Sequence, residues 1–169
     1  NQILGLLDEG AGNYMPAYRN AGIWSPLLNM DANYTYTLYD ISENGIWVVG
    51  QTSWTQETGS WGFIYNTETE LFTLLSSSLY EFGAAYSVND NGTAVGWVDD
   101  LPGGTVRMPA YFSPDGTITL IQNTHGEANA ISENNVIVGN FLGNPFIYNL
   151  DEDEFKSYLT PDGYMTSAF

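Results

Sequence analysis

The chain has 169 residues, with 20 acidic residues against three lysines and arginines, and its formal net charge is −17 at pH 7. This balance excludes a nucleic-acid partner, because phosphate binding relies on lysine and arginine, and it opposes an anionic membrane surface. Disulfides and thiolate metal sites are ruled out by the absence of cysteine, and no run approaches the roughly 18 apolar residues of a spanning helix, so we expect no membrane insertion.

A short motif occurs three times, and half of it occurs a fourth time. It reads ISENGIWVVGQ from Ile41, VNDNGTAVGW from Val88 and ISENNVIVGN from Ile131, and the opening letters NQILG match its second half. The glycine that ends the apolar run of each copy is Gly5, Gly50, Gly96 or Gly139. Repeats spaced about 45 residues apart are typical of propeller blades.

Each repeat predicts four strands. The first approaches the motif, the second follows its turn, the third contains MPAYRN, WGFIYN, MPAYFS or NPFIYN, and the fourth is a last apolar run. The dipeptides Asn44-Gly45 and Asn91-Gly92 predict type I′ hairpin turns between the first two strands, with positive φ at both central residues. No long stretch has a capped helical period, so we expect almost no helix.

The letters GYMTSAF, residues 163–169, are similar to GAAYSV, which begins at Gly83. We therefore expect them to form the first strand of a blade whose other strands come from residues 1–30, so that the two terminal segments close the ring. The predicted fold is all-β, a four-bladed β-propeller of four-stranded antiparallel blades in a single domain, residues 1–169. A four-repeat fragment of a larger propeller and an open β-stack are the alternatives. The other three blades are expected at residues 36–76, 82–122 and 126–160.

The repeats resemble a known family. The pattern A-x-x-V-N-D-N-G-x-x-V-G from Ala85 to Gly96, followed by PAYF from Pro109 to Phe112, is similar to the HAF repeat of bacterial extracellular repeat proteins. The resemblance covers essentially the whole chain in four short copies, although proline or tryptophan stands where the family has histidine. It implies a location at the cell surface or in the medium, and it implies no catalytic residues.

Strands that alternate in direction place tight turns at one end of each blade and loops of unequal length at the other. We expect the functional face at the loop end, since variable loops on a repeated scaffold commonly carry binding residues. When the four repeats are aligned, one position of the third strand is aromatic in every copy, and we predict that this aromatic column belongs to the core. Its residues are Tyr18, Phe63, Tyr111 and Phe146.

For three tryptophans the aligned position is not aromatic in every copy of the repeat. Trp54 and Trp97 lie in or beside the variable loops, and Trp61 begins a third strand. Aromatic rings that the scaffold does not require are candidates for stacking on a sugar or a peptide, so we predict that all three bind a ligand. Burial between blades or beneath a loop is the alternative.

Polar side chains accompany Trp97. Asp99 and Asp100 follow it, and Arg107 closes the same loop. We predict that these three residues also bind the ligand, because paired carboxylates can accept sugar hydroxyls, bind calcium or perform acid and base chemistry. Simple solvation of the two carboxylates is the alternative.

The sequence contains little that indicates catalysis. His125 is the only histidine, and neither a G-x-S-x-G elbow nor an HExxH helix is present. We expect a non-enzymatic protein with no cofactor; calcium stays possible, and a hydrolase that uses only carboxylates stays open. The resulting interpretation is a secreted or cell-surface binding module for a glycan or a surface protein. The alternative is a structural repeat protein that associates with itself.

Overall fold

The computed structural model describes residues 2–10, 13–54, 59–100 and 106–158. The side chains of Glu9, Asn13, Glu81 and Asp100 lie outside this description. Over these ranges the regular structure is entirely β-strand, with no helix. The described ranges therefore contain no helix long and apolar enough to cross a membrane.

Fifteen strands form four antiparallel sheets in this part of the chain. We name the sheets blades A to D in chain order. Blade A contains β1 (Ile3–Gly10), β2 (Asn13–Asn20) and β3 (Ile23–Pro26). Blade B contains β4 (Tyr34–Ile41), β5 (Trp47–Trp54), β6 (Trp61–Asn66) and β7 (Leu71–Leu75). Blade C contains β8 (Tyr80–Val88), β9 (Ala94–Asp100), β10 (Arg107–Phe112) and β11 (Ile118–Leu120). Blade D contains β12 (Gly126–Ile131), β13 (Val136–Phe141), β14 (Asn144–Asn149) and β15 (Glu154–Ser157).

The predicted all-β propeller fold, with consecutive antiparallel blades, is confirmed. Blades B, C and D each have four strands in chain order, and blade A has three within the described ranges. The strand predicted over residues 163–169, and with it the closure of the ring, lies outside the described residues.

Close backbone contact between the first two strands explains the repeated glycine. A Cβ atom on Gly50, Gly96 or Gly139 would collide with the carbonyl oxygen of a first-strand residue. In each of these blades the first strand carries a bulge beside that glycine, because the register with the second strand shifts there by one residue. The glycines are Gly50, Gly96 and Gly139, and the bulge residues are Tyr39, Tyr86 and Asn129.

The core lies between adjacent blades. One cluster, which includes the fully buried Val48 and Phe63, packs against Leu4 and Tyr18 of blade A. A second joins blades B and C around Ile64, and a third joins blades C and D around Ile137. Apolar burial between sheets therefore fixes how the blades are oriented relative to one another.

The predicted aromatic column is wrong by one position in two of the four blades. Phe63 and Phe146 lie opposite Gly50 and Gly139 and are fully buried. The residues opposite Gly5 and Gly96 are alanines, Ala17 and Ala110. Tyr18 and Tyr111 follow these alanines, are half-buried and pack against the core clusters between blades A and B and between blades C and D. The sequence alignment matched aromatic letters, whereas the sheet register matches the residue that faces the glycine.

The prediction of type I′ turns is also wrong. Gly45 and Gly92 have φ values of 78° and 80°, but the preceding asparagines do not have positive φ. The amide of Gly45 donates to the carbonyl of Ser42 at 2.9 Å, and the Asn44 side-chain oxygen accepts from the amide of Ile46 at 2.9 Å. The asparagine therefore acts through its side chain, which stabilises a turn that ends in a left-handed glycine.

Hydrogen bonds join the turns of neighbouring blades at this end. The amide of Asn44 donates to Asp90 Oδ1 at 2.7 Å, and the amide of Asp90 donates to Glu133 Oε2 at 2.9 Å. Deeper in the sheet, Asp40 Oδ2 accepts from the Ser87 hydroxyl at 2.9 Å and from the amide of Val88 at 3.0 Å. Carboxylates of the repeated turns thus link blades B, C and D through backbone donors.

The substitution Gly96→Ala tests the close contact between first and second strands. We expect it to lower the free energy of unfolding by about 3 kcal/mol, because a rigid carbonyl of Ala84 blocks the new methyl group. Urea unfolding followed by circular dichroism measures the loss. Gly22→Ala is the control: its φ is 88° and the nearest atom lies 3.9 Å from the new methyl, so only backbone strain of about 1 kcal/mol is expected. Equal losses in the two variants would contradict the steric explanation.

Candidate binding site at the loop end of blades B and C

Three aromatic rings gather where β4, β5 and β6 meet at the loop end. Tyr34 opens β4 opposite Trp54, and their rings stack with centroids 6.4 Å apart and planes at 27°. Trp61, which opens β6, meets the same tyrosine ring edge-on at 6.3 Å. All three side chains are half-buried, so the group combines a fixed arrangement with accessible ring surface.

Phe82 extends this group into blade C. Its ring lies 5.9 Å from that of Trp61 at an angle of 61°, and its amide donates to Asp99 Oδ1 at 3.1 Å. Phe82 therefore connects the aromatic group to the carboxylate that the sequence placed beside Trp97.

Arg107 and its neighbours in blades C and D form a second, polar group. The guanidinium lies 4.2 Å from the centroid of the Trp97 ring, a cation–π contact. Its Nη1 also donates to Glu127 Oε1 of blade D at 2.6 Å. This hydrogen bond raises the pKa of Arg107. Asp99 is the cross-strand partner of Arg107 and is 6% exposed, whereas the Arg107 side chain is 50% exposed.

Trp97 is hydrogen-bonded to Tyr86, the bulge residue of its own blade. The indole Nε1 donates to the Tyr86 hydroxyl at 2.9 Å, and the tryptophan is only 5% exposed. Burial raises the pKa of Tyr86. Blade B repeats the arrangement with other residues, since the Tyr39 hydroxyl donates to Gln51 Oε1 at 3.3 Å. The bulge therefore aims one side chain of the first strand at the residue that follows the glycine.

The predicted site residues thus fall into two groups that Phe82 connects, one with Trp54 and Trp61 in blade B and one with Trp97, Asp99 and Arg107 in blade C. We call the two groups together with Phe82 the row. Trp54, Trp61 and Arg107 have accessible surface, while Trp97 and Asp99 are largely buried within the C–D side of the row. Asp100 ends β9, and its side chain lies outside the described residues. Whether these residues bind a ligand stays a prediction.

Sequence reasoning missed Tyr34, Phe82 and Glu127. Tyr34 and Phe82 stand before or at the expected first residues of blades B and C, 36 and 82, whereas β4 already begins at Tyr34 and β8 at Tyr80. Their signal was the alternation of aromatic and other residues in YTYTLY and YEF, which is typical of a strand. Glu127 had no local signal, because only the packing of blade D against blade C brings it to Arg107.

No group of three or more histidine, cysteine, aspartate or glutamate side chains within the described ranges could hold a metal ion. The acidic run from Asp151 to Glu154 has structural contacts instead. Asp151 accepts from Asn135 Nδ2 at 2.9 Å, Asp153 accepts from the Tyr148 hydroxyl at 2.7 Å, and Glu154 pairs with Lys156 at 2.7 Å.

Fold and repeat together define the chain as a β-propeller protein. No family model and no curated protein matches the sequence. Solved structures that are similar in fold include the following two. One, from a structural and mechanistic study of two prolyl endopeptidases, has a TM-score of 0.64 at 9% identity over 92% of this chain and 28% of that chain. TolB from Acinetobacter baumannii has a TM-score of 0.59 at 12% identity over 95% of this chain and 41% of that chain. The chain therefore spans less than half the length of either, and the likeness shows the fold alone.

Two tyrosine variants test the support beneath Trp97. Tyr86→Phe removes the acceptor of a buried indole N–H, so we expect a loss of about 1–3 kcal/mol in the free energy of unfolding. Tyr39→Phe is the matched control, because Tyr39 occupies the same bulge position and is 42% exposed, and its loss should stay below about 0.5 kcal/mol. Urea unfolding followed by tryptophan fluorescence compares them. A loss in Tyr39→Phe as large as in Tyr86→Phe would contradict the assigned role.

Tyr36 gives stability a pH dependence in alkali. Burial raises its pKa to about 12, against about 10 in an unfolded chain. The unfolded state therefore loses the proton first, so this contribution to stability is complete below pH 10 and falls as pH rises from 10 to 12. Unfolding at a series of pH values should show a smaller alkaline loss in Tyr36→Phe than in the wild type. Equal alkaline slopes in Tyr36→Phe and the wild type would contradict the assignment.

Proposed function

We propose that the protein is a non-catalytic binding module that recognises a glycan through the loop end of blades B and C. The observation that carries the proposal is the aromatic group of Tyr34, Trp54 and Trp61, whose centroid distances are 6.3 and 6.4 Å. Flat, partly accessible rings beside hydrogen-bonding groups are the usual means of binding a sugar face. A surface protein is the second ligand class that the same row could accept.

Charge favours a neutral ligand. The net charge of −17 repels an anionic glycan, and Arg107, the cation in the row, already pairs with Glu127 at 2.6 Å and covers Trp97. Neutral hydroxyl groups need donors and acceptors and no free cation. The proposed ligand class is therefore a neutral oligosaccharide.

We propose a secreted or cell-surface location on the resemblance of the repeats to HAF repeats. Calcium could modulate such an acidic protein by screening its charge, and we propose it as an additive to compare in the binding assays.

A second candidate function is a structural protein that associates with itself. It is favoured by the apolar surface of blade A, where Ile23 is 70% exposed and Leu28 is 42% exposed. Size-exclusion chromatography with and without calcium distinguishes the two functions, because a monomer under all conditions contradicts self-association.

Binding of a neutral glycan is tested by screening the intact protein on a glycan array and measuring the strongest ligand by calorimetry. We expect Trp54→Ala and Trp61→Ala each to weaken binding at least about tenfold, equivalent to about 1.4 kcal/mol. Trp24→Ala is the matched control: this tryptophan is 40% exposed on the outermost strand of blade A, so its loss should leave affinity unchanged. Wild-type affinity in both site variants would overturn the assigned site, and an array without any neutral ligand would overturn the ligand class.

A further inference from the structure

Asparagine precedes glycine at two places in the sequence, Asn44-Gly45 and Asn91-Gly92. Both pairs lie in the tight turn between the first and second strands of a blade, and both asparagines are exposed. An asparagine before glycine is prone to deamidation, because glycine has no Cβ to keep its amide nitrogen away from the asparagine side chain. The two turns therefore offer the same reactive pair in two surroundings.

The backbone of the two turns is alike. The amide of Gly45 donates to the carbonyl of Ser42 at 2.9 Å, and the amide of Gly92 donates to the carbonyl of Asn89 at 2.9 Å. The φ values of the two glycines are 78° and 80°. A difference in reactivity between the turns would therefore come from the asparagine side chains.

The side chain of Asn44 is held through both polar atoms of its carboxamide. Its Oδ1 accepts from the Ser42 hydroxyl at 2.7 Å and from the amide of Ile46 at 2.9 Å. Its Nδ2 donates to the carbonyl of Asp90 in blade C at 3.1 Å. Before the Gly45 nitrogen could attack it, the Asn44 carboxamide would have to turn out of this arrangement and break these hydrogen bonds.

The side chain of Asn91 makes no hydrogen bond to the described part of the chain, because Asn89 shapes this turn instead. Asn89 occupies the place of Ser42 in the repeat, and its Oδ1 accepts from the amides of Asn91 and Thr93 at 3.2 and 3.0 Å. Its Nδ2 donates to Asn135 Oδ1 of blade D at 2.8 Å. The longer side chain of Asn89 thus reaches the backbone amides directly, and the Asn91 carboxamide is left to rotate at the surface.

We propose that Asn91 is a site of spontaneous deamidation and that Asn44 is protected from it by its hydrogen bonds. The Gly92 nitrogen forms a bond to Cγ of Asn91 and gives up its proton, the bond from Cγ to Nδ2 breaks, and the side-chain nitrogen leaves as ammonia. Water then opens the resulting succinimide ring and leaves either aspartate or isoaspartate at position 91. The reaction consumes water alone.

The product acts on the hydrogen bonds between blades. Asp90, the neighbour of Asn91, accepts from the amide of Asn44 at 2.7 Å, and its own amide donates to Glu133 Oε2 at 2.9 Å. A carboxylate at position 91 adds like charge beside these two acidic side chains, and isoaspartate also adds a methylene carbon to the main chain of the turn. We therefore expect deamidation to weaken the links from blade C to blades B and D and to lower the melting temperature.

Ageing of the full chain at neutral pH tests the proposal. Samples taken at intervals are digested with pepsin, and mass spectrometry measures the deamidated fraction of Asn44 and of Asn91. We expect Asn91 to react at least about tenfold faster than Asn44, since only Asn44 must first break side-chain hydrogen bonds. In urea the two rates should become similar, because both residues then belong to the same dipeptide in an unfolded chain. Equal rates in the folded protein would overturn the proposal, as would faster reaction at Asn44 or a difference that persists unchanged in urea.

Two variants, each shown to be folded by circular dichroism, test the protection and the site separately. Ser42→Ala removes the hydroxyl that donates to Asn44 Oδ1, so deamidation of Asn44 should become faster while the rate at Asn91 stays that of the wild type. Asn91→Gln lengthens the side chain and slows ring closure, so the aged variant should keep its melting temperature while that of the aged wild type falls by about 2–4 °C. An unchanged rate at Asn44 in Ser42→Ala would overturn the assigned protection, and an equal fall in Asn91→Gln would overturn the assigned site.

Discussion

The propeller depends on one close contact, the approach of a first-strand carbonyl to a second-strand glycine. At Gly50, Gly96 and Gly139 there is no room for a side chain, and the bulge beside each glycine lets the first strand bend towards it. The bulge has two consequences in blades B and C. It turns Tyr39 and Tyr86 towards the residue that follows the glycine, and in blade B it places Asp40 within reach of blade C.

The two ends of each blade are built from different interactions. At the turn end, Asp90 and Glu133 accept hydrogen bonds from backbone amides of the preceding blade, and Asn44 shapes its own turn. Backbone donors are present whatever the side chain, so this linkage needs only an acidic or amide residue at one turn position. At the loop end, blades B and C are joined by a backbone hydrogen bond, from the amide of Gly83 to the carbonyl of Ser60 at 2.9 Å, and by individual side chains such as Trp61 and Phe82. The repeat is therefore regular at one end and free to vary at the other.

The sequence was sufficient for the repeat, the strand count per repeat and the placement of the glycines, because each has a strict local spacing. It failed where a feature depends on neighbours in the sheet. Matching Tyr18 to Phe63 was wrong because only cross-strand register shows which residue faces a glycine. The predicted type I′ turn was wrong because Asn44 does not adopt positive φ. Its side-chain oxygen accepts a hydrogen bond from the amide of Ile46 instead. Tyr34 reaches the row through cross-strand pairing with Trp54 in blade B, whereas packing between blades brings Phe82 and Glu127 to it.

The row at the loop end spans two interfaces that the core already fixes. Trp61 comes from blade B, Phe82 and Asp99 come from blade C, and Glu127 comes from blade D. Since buried apolar clusters hold these blades together, a ligand would meet rings and polar groups that are already in place, and little ordering would oppose binding. The charge of Arg107 is balanced by Glu127, so the contact surface is polar and aromatic with no free cation from this residue. In the proposed function such a surface would discriminate by the shape and hydroxyl pattern of a neutral ligand, because an anionic ligand would gain no ion pair there and would meet the repulsion of the whole chain.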